Sequence, residues 1–468
     1  MAETTSVIER IEQDAIQTVD FRFTDLRGRW QHVGFAAAKV SERLLEEGIM
    51  FDGSAVPGWR DASESDMMLI PDLSTAVNDP FSAQPTLLLI ANVAEPGSGL
   101  AYERCPRSIA AKAMTHLEGS GVADEMMTAA QMAFSVFDDV RSEVRSSEAF
   151  WRVGADEGRD SSNARYDIGN SGHRFSGTAP YAVPPADHFA DLRAEIVSMM
   201  QAMGLEAQQQ HHNPSPCQCE INLSARPMLA SADGIQIYRY VVQNVAHSYG
   251  KTATFMAKPL AFEQGASFEI QQALWHDDKP IFAGHGYADL SELCLHFIGG
   301  ILQHAQALNA FTNPTTNSYR RLAPGQNAPR HLAYAAFNRS AALRLPFAAR
   351  PEDKRVELRF PDPSANAYLA FSALLMAGLD GIARRIDPGE PMDRNLYDLP
   401  AKEIEEMPTV CRTLDEALTA LDRDRAFLTK GEVFSDGMID AYIALKRTEI
   451  QAQEAVPHPV EYQLYYSV

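Results

Sequence analysis

Four short segments of the chain alternate polar and apolar side chains with a period of two. They are Gln131-Met132-Ala133-Phe134-Ser135, Gln218-Cys219-Glu220-Ile221-Asn222, Phe268-Glu269-Ile270-Gln271 and Val356-Glu357-Leu358-Arg359. Successive side chains of a strand point to opposite faces, so each segment reads as a strand with one polar and one apolar side. Gln131, Ala133 and Ser135 share a face, as do Gln218, Glu220 and Asn222, Glu269 with Gln271, and Glu357 with Arg359. Met132, Phe134, Ile221, Ile270, Leu358 and Phe360 point the other way and need a core. Two arrangements fit: the wet wall of an active-site sheet, or an antiparallel sheet with one solvated face.

Other patterns set the frame around these strands. Residues 18–34 read as a hairpin about the Arg27-Gly28 turn, and 67–71 and 86–93 add two strands. The first hundred residues therefore form a small, mostly β domain. Pro106 follows Cys105 and suits the first turn of a helix, which places the domain boundary between 1–105 and 106–468. Helical periods then cover 187–203, 236–249, 291–309, 366–385, 413–422 and 438–454. Alternation of such helices with the polar-faced strands is an α+β pattern, with helices backing a curved sheet. Segment 366–385 is nearly all apolar and reads as a central buried helix. Stretch 153–180 is rich in Gly, Ser and Asn and reads as a loop. The aromatic tail from His458 to Val468 is expected to dock, on a neighbouring subunit, rather than fray.

Composition removes several function classes. At 468 residues the chain is too long for one core. The net charge of −21, from 41 basic and 62 acidic residues, argues against nucleic-acid and anionic-membrane partners, which need a basic surface. There is no apolar run of about 18 residues to span a membrane. The N-terminus carries no secretory pattern, and five cysteines are too few and odd for a disulfide framework. A cytoplasmic protein is the expectation. Cys217 and Cys219 alternate out of phase with Glu220 and are expected in the core.

Longer stretches carry a resemblance. Met50-Phe51-Asp52-Gly53-Ser54, Gly250-Lys251-Thr252-Ala253-Thr254-Phe255-Met256, Asn313-Pro314-Thr315-Thr316-Asn317-Ser318-Tyr319, Arg359-Phe360-Pro361-Asp362-Pro363 and Asn395-Leu396-Tyr397-Asp398-Leu399-Pro400 are similar to the bacterial type I glutamine synthetase family. The resemblance covers essentially the whole chain. It implies an N-terminal β-grasp domain and a C-terminal catalytic α/β domain with a curved antiparallel sheet. It further implies a homododecamer of two stacked hexameric rings, with active sites between adjacent subunits. Tyr397 falls where the family can carry a regulatory nucleotidyl group.

The catalytic residues depart from that family. Its two divalent cations are held by five glutamates and one histidine, and its Glu-Pro-Glu strand reads Gln131-Met132-Ala133 here. A further metal glutamate aligns with His212, the metal histidine with Glu269, its substrate-contacting neighbour with Gln271, and the flap glutamate with Asn327. Two metal glutamates match Glu220 and Glu357, and the ammonium-site aspartate matches Asp52. The arginines similar to the carboxylate and phosphate clamps are Arg321, Arg339, Arg344 and Arg359.

A site short of carboxylates holds two Mg²⁺ ions and ATP poorly, because phosphoryl transfer relies on those ions for charge neutralisation. His212, Glu220, Glu269 and Glu357 instead suit one divalent ion, Zn²⁺, Mn²⁺, Fe²⁺ or Mg²⁺. In this reading Asp52, Glu220, Glu357 and Arg339 carry the chemistry. Arg321, Arg344, Arg359, Gln131, Gln271 and Asn327 bind a small-molecule substrate. Three functions stay open: ATP-independent hydrolysis of a C–N bond, ATP-dependent joining of glutamate to an amine, and an inactive homologue that regulates or co-assembles.

Overall fold

The computed structural model describes residues 2–158, 172–173, 180–323 and 328–467. Helix α1 (Ala2–Gln13) precedes the expected hairpin, β1 (Thr18–Thr24) and β2 (Trp30–Ala36), whose turn is closed by Gly28 at φ 81°. After α2 (Glu42–Glu47) come β3 (Ile49–Asp52), β4 (Asp66–Asn78) and β5 (Thr86–Ala94). These strands form one sheet in the order β2-β1-β5-β4-β3. β1 lies parallel to β5 and the other pairs are antiparallel. Val19, Phe21, Leu87 and Leu89 are buried beneath it.

Helix α3 (Pro106–Ser120) begins at the expected proline. It leads into β6 (Glu125–Phe137) and an exposed hairpin, β7 (Asp139–Val144) and β8 (Ala149–Gly154). That hairpin was not anticipated; β8 reaches into the start of the stretch read as a loop, whose residues 159–171 and 174–179 lie outside the described ones. There follow α4 (Ala190–Ala202), β9 (Ala207–His212), β10 (Gln218–Leu223), β11 (Arg226–Pro227), α5 (Met228–Ser248), β12 (Thr252–Thr254), β13 (Phe268–His276) and β14 (Lys279–Pro280). The chain continues through α6 (Glu292–Thr312), α7 (Ser318–Arg321), β15 (Tyr334–Ala336), β16 (Leu343–Leu345) and β17 (Val356–Leu358). It closes with α8 (Ala367–Arg384), α9 (Ala401–Glu406), α10 (Leu414–Arg423), α11 (Asp436–Glu454) and α12 (Pro459–Tyr465).

The second sheet runs β15-β16-β17-β13-β6-β10-β9, antiparallel except between β15 and β16. Its apolar face carries Met132, Phe134, Ile221, Ile270 and Leu358, all buried. Helix α8 is long and apolar enough to cross a membrane, yet it is packed inside the protein. Arg107 fastens the two sheets' surroundings together. Its guanidinium, buried among them, donates to Asp233 on α5 at 2.9 Å, to Asp72 on β4 at 2.7 Å and to Asn92 on β5 at 3.0 Å. The tail forms α12, whose Tyr462, Leu464 and Tyr465 are exposed in the single chain.

Candidate functional site

Strand register assembles the polar wall. Gln131 on β6 pairs with Asn222 on β10 and with Glu269 on β13. Ala133 pairs with Glu220, Gln271 with Glu357, and Glu357 with Arg344. Directly paired residues share a face, so one side of the sheet carries Glu220, Asn222, Gln131, Glu269, Gln271, Glu357 and Arg344. Arg359 follows β17 two residues after Glu357 and joins them.

The acids on this wall are already matched by arginines. Arg359 donates to Glu269 Oε1 from Nε at 3.1 Å and from Nη2 at 3.0 Å. Arg339, whose side chain is 65% exposed, lies over the same oxygen at 3.4 Å. Arg344 Nη1 donates to both oxygens of Glu357, at 3.1 and 3.3 Å, and Gln271 Nε2 adds a third bond at 3.0 Å. Burial pushes the Glu269 carboxyl up, but Arg359 and Arg339 outweigh it and hold the group below its ordinary range. Burial first, then the charge of Glu269, raises Glu357.

Glu220 differs, because no arginine binds it directly among the described residues. Asn213 Nδ2 donates to its Oε2 at 3.2 Å, and His211 Nε2 lies 3.9 Å from Oε1. Burial, followed by the charge of Glu269, pushes its carboxyl up to about 7. Tyr181 packs on His211 with ring centroids 5.1 Å apart.

Two sequence expectations change. His212 does not face this wall. β9 pairs His211 with Glu220 and His212 with Cys219, so alternation turns His212 to the opposite, core side. There its Nδ1 donates to the Asn213 carbonyl at 2.5 Å and its Nε2 meets Glu157 Oε2 at 2.9 Å, both side chains fully buried. Arg321 also serves the backbone. Its Nη1 and Nη2 donate to the carbonyls of Phe360 at 2.8 Å and Arg359 at 3.0 Å, which braces the end of β17.

The remaining residues fall as follows. Asp52 is exposed at the end of β3, where its Oδ1 accepts from Ser54 N at 2.9 Å and Ser54 Oγ at 2.6 Å. No hydrogen bond or ion pair among the described residues joins it to the wall. Asn327 lies outside the described residues. Tyr397 is exposed on a short turn at Leu396–Asp398. Cys217 and Cys219 are buried as expected, with Cys217 just ahead of β10 at φ 63°.

Arg355 is a wall residue that the sequence reading does not include. It donates to Gln271 Oε1 at 2.8 Å, and its position two residues before Glu357 is the signal that points to it. The same period of two, counted from Glu220 through the β9 pairing, selects His211.

These donors do not fit the family's pair of divalent cations. Two of its carboxylate positions are Gln131 and Ala133, and the Glu269 and Glu357 carboxylates are committed to arginines. The single-ion set of His212, Glu220, Glu269 and Glu357 is not brought together either. Among the described residues no three His, Cys, Asp or Glu side chains are grouped to hold a metal ion. Arginines hold Glu269 and Glu357, and Glu220 is the wall carboxyl that no arginine binds among the described residues.

Fold and wall together define a two-domain protein of the glutamine synthetase type. The family description "Glutamine synthetase, beta-Grasp domain" matches residues 15–96, and "Glutamine synthetase, catalytic domain" matches residues 103–465. The chain belongs to the glutamine synthetase family. It is 50% identical to a glutamine synthetase of Azospirillum brasilense over 100% of both chains. It is 46% identical to a protein named 3-hydroxylaminophenol mutase from Cupriavidus pinatubonensis, over 99% of this chain and 98% of that one. Among solved structures, a cryo-EM glutamine synthetase of Plasmodium falciparum superposes with a TM-score of 0.92 at 27% identity, covering 99% and 98% of the two chains. A GmaS/ADP complex superposes with a TM-score of 0.81 at 26% identity, covering 98% and 99%.

Proposed function

We propose that this chain is a repurposed enzyme of the family that hydrolyses a C–N bond in a small anionic amide or amine, without ATP. The observation that carries the reading is the two-point bond from Arg359 to Glu269, repeated by Arg344 on Glu357. Where the family gathers cations with carboxylates and a histidine, this chain has supplied its own positive charge. Arginines fixed in that way can hold an anionic substrate and stabilise negative charge that develops on its carbonyl oxygen. On an amide, Glu220 takes a proton from water as the oxygen adds to the carbonyl carbon. It returns that proton to the nitrogen as the C–N bond breaks, leaving an acid and ammonia or an amine.

The family's assembly supports a homo-oligomer, a dodecamer of two rings, in the cytoplasm. In it Asp52 comes from the neighbouring subunit, and the exposed aromatics of α12 dock on another copy. The boundary between domains falls at 105/106, where Cys105 precedes Pro106. The test of the reading is ammonia release from a panel of small carboxylated amides, with ATP omitted. Turnover that survives both Glu220→Gln and Glu357→Ala would remove these residues from the chemistry.

A second reading is favoured by the likeness to GmaS, whose structure is described as an ADP complex. In it the chain joins glutamate to an amine at the expense of ATP, with Arg339, Arg344 and Arg355 on the phosphates. Mg²⁺-ATP separates the two readings. A nucleotide present at a hundred times its Kd adds about 2.7 kcal/mol of stability, a plain thermal shift under the ligase reading and none under the hydrolase reading.

A further inference from the structure

His304 on α6 is 3% exposed, and both of its ring nitrogens meet carboxylates. Nδ1 lies 2.7 Å from Asp424 Oδ2 and Nε2 lies 3.0 Å from Asp380 Oδ2. An ionised carboxylate only accepts, so both nitrogens must donate and the ring is an imidazolium. Phe427 stacks on it at 4.0 Å with the planes 22° apart.

The two aspartates are unequal. Asp380 on α8 is buried and also takes Lys430 Nζ and Arg384 Nη1, the latter at 2.8 Å. Asp424 caps the C-terminus of α10, with its side chain 44% exposed. Among the described residues, His304 is the one side chain hydrogen-bonded to its carboxylate. Arg425, next along the chain, turns instead to Asp422, Asp436 and Asp440. Segment 424–432 is held at Asp424 by His304, at Arg425 by its three aspartates, at Phe427 by the ring, at Leu428 by burial in the core and at Lys430 by Asp380. It leads directly into α11, whose Glu449 holds Arg27 of the first domain at 2.7 Å.

We propose that His304 and Asp424 form a pH-sensitive latch, in which the imidazolium holds segment 424–432 against α6 and α8 and loss of its proton to solvent base frees the Asp424 end. After that loss one nitrogen presents a lone pair. The remaining N–H stays with Asp380, because water cannot reach that carboxylate, whereas it can replace the imidazole at half-exposed Asp424. Burial alone would lower the affinity of His304 for its proton, but Asp424 and Asp380 outweigh burial and raise it. A histidine raised in this way contributes its full stabilisation below its ordinary pKa of about 6.5 and loses it as pH climbs through the folded value.

Histidine ring C–H exchange followed by mass spectrometry titrates His304 by itself in the full-length assembly. Its midpoint is expected above about 6.5 and is expected to fall towards that value in Asp424→Asn. Amide exchange of peptides covering residues 424–433, corrected for intrinsic rates, should step up at the same midpoint in the wild type. In Asp424→Asn it should be raised throughout, with no step. A His304 midpoint at or below about 6.5 overturns the latch. So does a wild-type segment whose exchange shows no step at the midpoint.

Discussion

Arg359 grips Glu269 through two nitrogens, both bonded to Oε1, while Glu269 itself is buried on the floor of the wall. Breaking a buried pair by removing one partner costs roughly 3–5 kcal/mol, because the other charge is left uncompensated. Glu269→Ala should therefore be among the more destabilising single changes on the wall. Glu269→Leu combined with Arg359→Met should recover most of that loss, since replacing both partners with apolar groups is often neutral. Denaturant unfolding of the two variants beside the wild type checks both statements. Equal losses in the single and double variants would show that the pair itself is not what matters.

Behind the wall, Glu157 accepts from three donors: His212 Nε2 at 2.9 Å, Cys217 N at 2.8 Å and His188 N at 3.4 Å. An unpaired buried donor costs about 1–3 kcal/mol. Glu157→Ala removes an acceptor shared by His212 Nε2 and Cys217 N and should lower the thermal midpoint clearly. Glu157→Gln keeps one acceptor and should lower it less. Differential scanning fluorimetry orders the three proteins.

Asp380 supplies a pH prediction of the opposite sign to the latch. Burial pushes its carboxyl up, but Lys430, His304 and Arg384 overcome that and hold it at about 2. A depressed carboxyl contributes stability above its ordinary pKa and loses it as pH falls through the folded value. Asp380→Asn should lower the thermal midpoint near neutral pH. The gap to the wild type should narrow below about pH 4, the ordinary aspartate range, and close on approach to the folded value. A gap that stays constant across that range would contradict the assignment.

Metal removal tests the donor chemistry. Dialysis against EDTA should leave both the thermal midpoint and the oligomer unchanged, because the wall's own arginines neutralise Glu269 and Glu357. A fall in midpoint that Mn²⁺ or Mg²⁺ restores would mean that a cation competes with those arginines in solution.

The sequence made the wall legible because a period of two leaves little freedom. Glu220, Gln131, Glu269, Gln271 and Glu357 were placed on one face by counting alone, and the register agrees. At His211-His212 the count is hidden, because Pro214 and Pro216 follow directly and break the local strand pattern. Strand β9 extends through both histidines, so it is His211 that shares the face of Glu220. Nothing local to residue 212 shows that its partner is Glu157, because that contact spans 55 residues. Arg321 illustrates the other limit: the family resemblance makes it a ligand clamp, and only the position of the Phe360 and Arg359 carbonyls shows its hydrogen bonds going to backbone. Hairpin β7–β8 was missed because its strands carry mixed charged and apolar side chains with no buried face to enforce alternation.

Incubation of the purified full-length protein with glutamate, ammonia and Mg²⁺-ATP, followed by quantification of glutamine and phosphate, tests the central claim most directly. A wall whose carboxylates are bound by Arg359 and Arg344 should yield neither product above the no-enzyme background. Sustained formation of glutamine matched mole for mole by phosphate would contradict the account.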